Sequence, residues 1–361
     1  MAQRLMLIGV LCVVLNVPVS SLPKFASRLK VSCQHCHVNP TGGGMRKAFG
    51  VTYGQEELPV PSWREESGLN GFSTKLNEFI AFGADLRTLA LIQQGDPTGR
   101  SSFFQMQTDV YVSAQLAKKA SLYVSKGQGD RFEAFGLANV LPLGGYVKAG
   151  WFAPAYGIRM DDHTIFTRSK TLFASSSAQD AGLELAVSPG PVTLTGALSN
   201  GASASIDDNQ AKAVLGRAEG SFAISTVNVN LGGSYYNNAS STGVTTLYGA
   251  FAMVSLDENL TLLGELSRRR DFLNTAASLT SQNILSLELD FVVTQGLDLK
   301  IGYDFFDEDI EYTSGTEQRF LLGAEFYPLA GIELRPMYIV RKEEPTDVTN
   351  NQALLLFHLY L

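Results

Sequence analysis

The chain has 361 residues, of which 45% are hydrophobic, only 17% are charged and 34 are glycine, and its net charge is −7. That balance argues against a nucleic-acid partner, and so low a charge density is unusual for a soluble enzyme. A long chain that is poor in charge and rich in glycine and aromatics is instead a candidate for an outer-membrane barrel.

Residues 1–21 read as an export signal. Arg4 precedes an apolar run from Leu5 to Leu15, and small residues at Ser20 and Ser21 offer a cleavage site. The apolar run is too short to span a bilayer comfortably. Cys12 lies inside that run and is expected to leave with it, so the exported protein retains Cys33 and Cys36.

Residues 22–70 are built around Cys33-Gln34-His35-Cys36-His37. Two thiols three residues apart, followed at once by an imidazole, form the attachment pattern for c-type haem. The thiols add across the vinyl groups along one edge of the macrocycle, and His37 becomes the proximal iron ligand. The alternatives are a Cys33–Cys36 disulfide or half of a zinc site, but zinc requires about four ligands and no second cysteine pair exists. Pro23–Leu29 is expected to begin a short helix before the motif. Asn39-Pro40-Thr41-Gly42-Gly43-Gly44 allows a tight turn after it, and Met45–Gly50 reads as a second short helix. About 40 residues cannot bury a self-sufficient core. The segment therefore needs its haem and a surface on the rest of the chain.

From residue 71 to 361 the pattern is that of a barrel. Leu297, Leu299, Ile301, Tyr303 and Phe305 alternate with Asp298, Lys300, Gly302 and Asp304, and the same period of two recurs to the last residue. Sixteen strands are expected near 79–92, 103–116, 120–127, 132–141, 145–153, 179–188, 191–200, 211–222, 225–236, 244–255, 260–270, 283–294, 297–306, 317–327, 331–343 and 352–361. The third and fourth are weak, so fourteen strands is the alternative. Tight turns alternate with longer polar connections, among them 154–178 and 271–282, and this asymmetry is characteristic of outer-membrane barrels. The fold class is thus all-β: a transmembrane antiparallel outer-membrane β-barrel with a small, mostly helical N-terminal haem c segment. An even strand count puts both termini on the periplasmic side.

The second axial ligand sets the redox character of the iron. His358 shares a strand face with Leu356 and Tyr360, opposite the apolar set, and so points into the lumen. Met45 is the local competitor, and His163 lies in the long 154–178 connection, which is long enough to fold inward and constrict the pore. An open sixth position is the remaining option. Arg159 and Arg168 are candidates to pair with haem propionates or lumen carboxylates. Asp161 and Asp162, with Asp307, Glu308 and Asp309, are candidate hard ligands for Fe(II) on outer loops, although acidic loop runs are usually just solvated. Glu265, Glu288, Asp290, Lys300, Arg319, Glu325, Glu333 and Arg335 suit a water-filled lumen.

This layout resembles the outer-membrane cytochrome–porin fusion family, best known from iron-oxidising bacteria. The resemblance rests on the signal, Pro23-Lys24-Phe25-Ala26 leading into the Cys33–His37 motif, then Phe49-Gly50 and Tyr53-Gly54, then a barrel to the end. It implies one covalent haem c docked at or inside the barrel and electron transfer across the outer membrane. A periplasmic c-type cytochrome would be the inner partner, and extracellular Fe(II) or a mineral acceptor the outer one. The stretch Asn39–Gly44 departs from the iron-oxidising members, so the outer partner and electron direction stay open. The alternatives are a diffusion channel whose haem segment is a structural plug, and a haem-based ligand-binding protein.

Overall fold

The computed structural model describes residues 23–95, 101–162, 164–173, 178–202, 207, 209–312 and 315–361. The expected signal, residues 1–21, and the candidate ligand His163 lie outside them.

Sixteen antiparallel strands close into one barrel. In chain order they are β1 Ile80–Gln93, β2 Ser101–Ala117, β3 Ala120–Lys126, β4 Phe132–Ala138, β5 Tyr146–Phe152, β6 Asp180–Val187, β7 Val192–Ser199 and β8 Ala213–Ile224. The ring continues with β9 Val227–Ala239, β10 Gly243–Ser255, β11 Leu260–Leu273, β12 Ser278–Thr294, β13 Leu297–Asp307, β14 Thr316–Phe326, β15 Ile332–Glu343 and β16 Gln352–Tyr360. Closure is made by β1 on β16, with Asp85 opposite Tyr360 and Arg87 opposite His358. Closing the ring leaves no strand edge unpaired, which a sheet facing lipid requires.

Period-two alternation decides which side chains face out. On β13, Leu299 and Ile301 are exposed while Asp298, Lys300 and Asp304 are buried in the lumen. The same holds on β16, where Leu355 and Phe357 face out and Leu356, His358 and Tyr360 face in. The outward set forms an apolar belt, the surface a bilayer covers.

The two weak strands are present but short, at seven residues each. The expected polar connection 271–282 is mostly strand. β11 and β12 stay paired as far as Leu273 opposite Ser278. Above an apolar belt both faces of a hairpin meet water, so polar residues there carry no loop signal. The second helix also differs from expectation: it spans Ala48–Glu56 rather than starting at Met45. Arg46 is held in a bridge opposite His37, and the Lys47 N–H donates to the Cys36 carbonyl at 2.7 Å, so helical geometry begins only afterwards.

The N-terminal segment enters the barrel. Helix α1, Pro23–Leu29, packs inside β9, β10 and β11. Helix α2, Cys33–Cys36, is a single turn carrying the motif, and α3, Ala48–Glu56, packs on it. Gly50 permits that packing, since a Cβ there would sit 2.6 Å from the Cys36 carbonyl oxygen. Residues 57–79 then run beneath the rim, with the Val60 N–H bonded to the Tyr327 carbonyl at 3.0 Å, and lead into β1. From the opposite end, the connection between β5 and β6 folds inward. Its helical turn α4, Phe166–Ser169, is buried against β12 and β13, where the Thr167 N–H donates to Ser286 at 3.2 Å.

Candidate functional site

The N-terminal segment and the inner loop leave a space between them. Its lining includes Cys33, Cys36 and His37 from the segment, Arg159, Met160 and Asp161 from the loop, and Tyr111, Arg217 and Met253 from the wall. The cavity offers about 250 Å³ to water. One water needs about 10–15 Å³ on that measure, so the space suits an organic cofactor rather than an ion.

Cys33, Cys36 and His37 all line the cavity. The short turn of α2 sets Cys33 and Cys36 on one side, and the two sulfurs are not joined in a disulfide. Burial, with Glu219 nearby, pushes the Cys33 thiol up to about 12. The next residue, His37, leaves the helix in extended geometry. Its Nδ1 lies 3.3 Å from the Gly44 carbonyl oxygen. That acceptor fixes the proton on Nδ1 and leaves the Nε2 lone pair for a metal, the usual arrangement of a ligating histidine. Burial and then Arg46 push the imidazole down to about 4, so it is neutral at physiological pH.

Gly42, Gly43 and Gly44 all adopt positive φ, at 90°, 76° and 65°. They carry the chain round from Asn39 so that Arg46 returns beside His37. A Cβ at Gly42 would stand 3.3 Å from the Cys33 sulfur, so the turn hugs the thiol only because it lacks side chains.

A c-type haem fits this donor set. Two thiols and a neutral imidazole face one cavity, and Arg46, Arg159 and Arg217 border it. Arg217 pairs with Glu219 at 2.7 Å, and its buried Nε keeps one N–H without an acceptor among the described residues. Zinc fits less well, because no group of three metal-ligating side chains is assembled among the described residues.

The candidate second ligands separate. His358 does face the lumen, but its Nδ1 lies 2.8 Å from Glu333 and its Nε2 2.9 Å from Asp85, so neither nitrogen is open to iron. Met45 is fully buried with Val38, Tyr111 and Tyr123 and is absent from the cavity lining. Its side chain approaches Gly83 on β1, where an added Cβ would be 3.5 Å from its Cγ. His35 turns away, with Nδ1 2.6 Å from the Ser32 hydroxyl.

The residues expected for an Fe(II) site do not form one cluster among the described residues. Asp161 and Asp162 lie on the part of the 154–178 connection that folds into the lumen. Asp161 pairs with Arg335 at 2.7 Å, and Asp162 with Arg319 at 3.1 Å. Burial alone would raise the Asp162 carboxyl, but Arg319 and Thr164 outweigh it and hold it down at about 2. These carboxylates are consumed in anchoring the loop. Asp307, Glu308 and Asp309 sit at the far rim, where the Asp309 carboxylate accepts the Glu311 N–H.

The lumen charges are likewise not simply solvated. Lys24 of α1 reaches Asp290 at 3.1 Å and also pairs with Glu325, while Arg28 reaches Asp298 at 2.9 Å. Lys300 bridges Glu288 and Glu325 at 3.1 and 2.8 Å. Arg168 pairs with Glu265 at 3.5 Å, and Arg159 with Glu133 at 3.4 Å. Asp290, Asp298 and Glu325 are thus docking points for the segment, and Glu265 and Glu133 for the loop. A hint was present in sequence, since Lys24 and Arg28 are four residues apart and share one helix face.

No family model matches the chain, and no curated protein matches it in sequence. Solved structures do. OmpT of Vibrio cholerae in its trimer form aligns with a TM-score of 0.59 at 11% identity, over 78% of this chain and 99% of that one. The outer-membrane channel DcaP of Acinetobacter baumannii gives 0.59 at 11% identity, over 80% and 99%. An anion-selective porin from Comamonas acidovorans gives 0.56 at 11%, over 78% and 99%. The barrel has the outer-membrane porin fold. The matched share is about the share that β1 through β16 make up of the chain, so the likeness concerns the barrel and is silent on the motif segment.

Proposed function

We propose that this is an outer-membrane electron-transfer protein, a porin-type barrel whose lumen holds one haem c on Cys33, Cys36 and His37. The observation that carries the reading is the shared cavity: two cysteines and an imidazole whose Nδ1 meets a carbonyl line one space inside a barrel. When bound, the haem supplies a one-electron ferric–ferrous couple. The chain's own residues do the rest. Cys33 and Cys36 would fix the group at one edge, and His37 would supply the imidazole nitrogen to its iron.

The apolar belt of such barrels is about 25 Å tall, so a redox centre outside it would not connect the two sides. A lumen position lies within reach of both. In this reading the termini and the segment face the periplasm, where a c-type cytochrome is the partner. Fe(II), or a mineral acceptor, meets the opposite rim. Exchange there would be outer-sphere, with no general acid or base required.

The likeness to porins favours a second reading, a diffusion channel with the segment as a structural plug. Against an open channel stands the contact between segment and loop, in which Arg159 of the inner loop donates to the Gly42 carbonyl at 2.8 Å. The two readings part in one preparation. Protein matured with haem c should keep the haem after denaturation and lose it when Cys33 and Cys36 are both changed to serine. In planar bilayers it should lack the large steady conductance of an open porin. Absence of covalent haem would remove the electron-transfer reading, and a large conductance would favour the channel.

A further inference from the structure

We infer that the Met160 thioether is the second axial ligand of the iron; the inference rests on the haem reading above and names the partner of His37. The argument is one of opposed walls. The hairpin that carries His37 lies against β1 and β3, through Arg46 to Asp85 at 3.3 Å and the Met45 N–H to the Tyr123 hydroxyl at 3.4 Å. Met160 packs on the opposite side of the ring, against a cluster that contains Met253 of β10 and Leu263 of β11. In a ring of sixteen, β10 and β11 stand about half a circumference from β2 and β3. The cavity lies between, and both His37 and Met160 border it.

The backbone on either side of Met160 is pinned. Arg159 donates to the Gly42 carbonyl at 2.8 Å, which ties the loop to the turn that cradles Cys33. Asp161 pairs with Arg335 at 2.7 Å, and its carbonyl accepts from Arg87 at 3.1 Å. A short turn, the Met160 N–H to the Ile158 carbonyl at 3.0 Å, sits between these anchors. A thioether held this way is positioned without being wedged into the core, for Met160 is only half-buried.

The competitors lack one element or another. Met45 lies on the His37 hairpin itself, with its carbonyl bonded to the Val38 N–H, so it belongs to the proximal side. His358 has both nitrogens engaged. Met253 also lines the cavity but is 3% exposed, wedged among Ile158, Phe251 and Leu263 on a strand fixed by its ladder. Methionine as the partner of histidine raises the potential of a c-type haem.

The test uses the full-length, haem-loaded protein and the variants Met160→Leu, Met160→His, Met253→Leu and Met45→Leu, read by absorption spectroscopy and redox titration. The parent should show a low-spin ferric iron with a sulfur-to-iron charge-transfer band. Met160→Leu, which keeps the volume, should lose that band, turn high-spin and take up CO in the ferrous state. Met160→His should return to low spin without the band, at a lower potential. Met253→Leu and Met45→Leu should keep the parent spectrum. A band that survives Met160→Leu, or that vanishes in Met253→Leu or Met45→Leu, overturns the inference while leaving the haem in place. A parent spectrum of two imidazoles does the same. A chain that carries no covalent haem removes the underlying reading along with it.

Discussion

Along β2 to β5 the inner wall carries a row of aromatic rings beside the buried charges Asp109, Glu133 and Lys148. Tyr111, Tyr123, Phe135 and Phe152 form a continuous row, with Tyr123 and Phe135 centroids 4.8 Å apart, and Val38 and Met45 pack on it. Along β12 to β15 the inner wall is charged, and Asp290, Asp298 and Glu325 seize Lys24 and Arg28. One barrel therefore grips one short segment by two chemistries. Apolar contact is non-directional and supplies adhesion, whereas buried ion pairs are costly to form and costly to break singly, so they fix orientation. The motif lies between the two grips, which is how a segment too small to fold alone is held at a defined place.

The charged wall should give the largest response. Replacing Asp290 with Asn and Glu325 with Gln leaves the Lys24 ammonium only Asp298 at 3.5 Å, and docking of α1 should weaken by about 3 kcal/mol. Protease cleavage within residues 23–60, or hydrogen exchange of α1, reads this directly. The strands themselves should keep their heat-resistant migration on gels. A global loss of the barrel would mean that these acids hold the wall and not the segment.

On the outer surface, Leu287→Arg places a charge on a side chain that is 40% exposed to the surroundings of the barrel. Near the bilayer midplane that change should cost about 2–4 kcal/mol. Folding into lipid vesicles under urea measures it, and a neutral result would place Leu287 away from lipid.

The aromatic wall should respond less to any single polar change. Tyr123→Phe removes the hydroxyl that accepts the Met45 N–H, for about 1 kcal/mol of segment docking. The ring stack remains, so the loss should be the same at low and high salt. A strong salt dependence would show that charge, not packing, holds this side too.

The smallest effect concerns pH. Burial alone would lower the Lys24 ammonium, but Asp290 and Glu325 outweigh it, and it is held above its ordinary value of 10.5. A group raised in the folded state contributes fully below its unfolded value and loses that contribution only as pH rises through the raised one. Segment protection should therefore stay flat between about pH 6 and 10 and fall only beyond. Release near neutral pH would contradict the pairing.

The sequence disclosed the barrel because each of its strands repeats one rule. Inward Glu288 and Asp290 alternate with outward Leu287 and Phe291, and a period of two read over many strands is hard to mimic. Where the rule meets different surroundings it fails, as in the 271–282 hairpin tip. The proposed haem motif could be read locally for a different reason, since its five residues are adjacent in the chain. The partners of the segment could not, because Lys24 and Asp290 are 266 positions apart and nothing local marks them as a pair. Asp161 and Asp162 looked like metal ligands because acidic neighbours on a loop reveal nothing of the arginines that face them. Met160 has no signature at all. A lone methionine in a loop acquires its proposed role only from the cavity it shares with His37.

The central claim is that the lumen holds a redox centre reachable from both faces. Its most direct test is reconstitution of the haem-loaded protein into sealed liposomes with a redox dye trapped inside and Fe(II), or a chelated acceptor, outside. The account predicts a dye response that depends on the loaded protein and is absent when Cys33 and Cys36 are serine. Sealed, haem-loaded vesicles in which the dye never responds to any external donor or acceptor would contradict it.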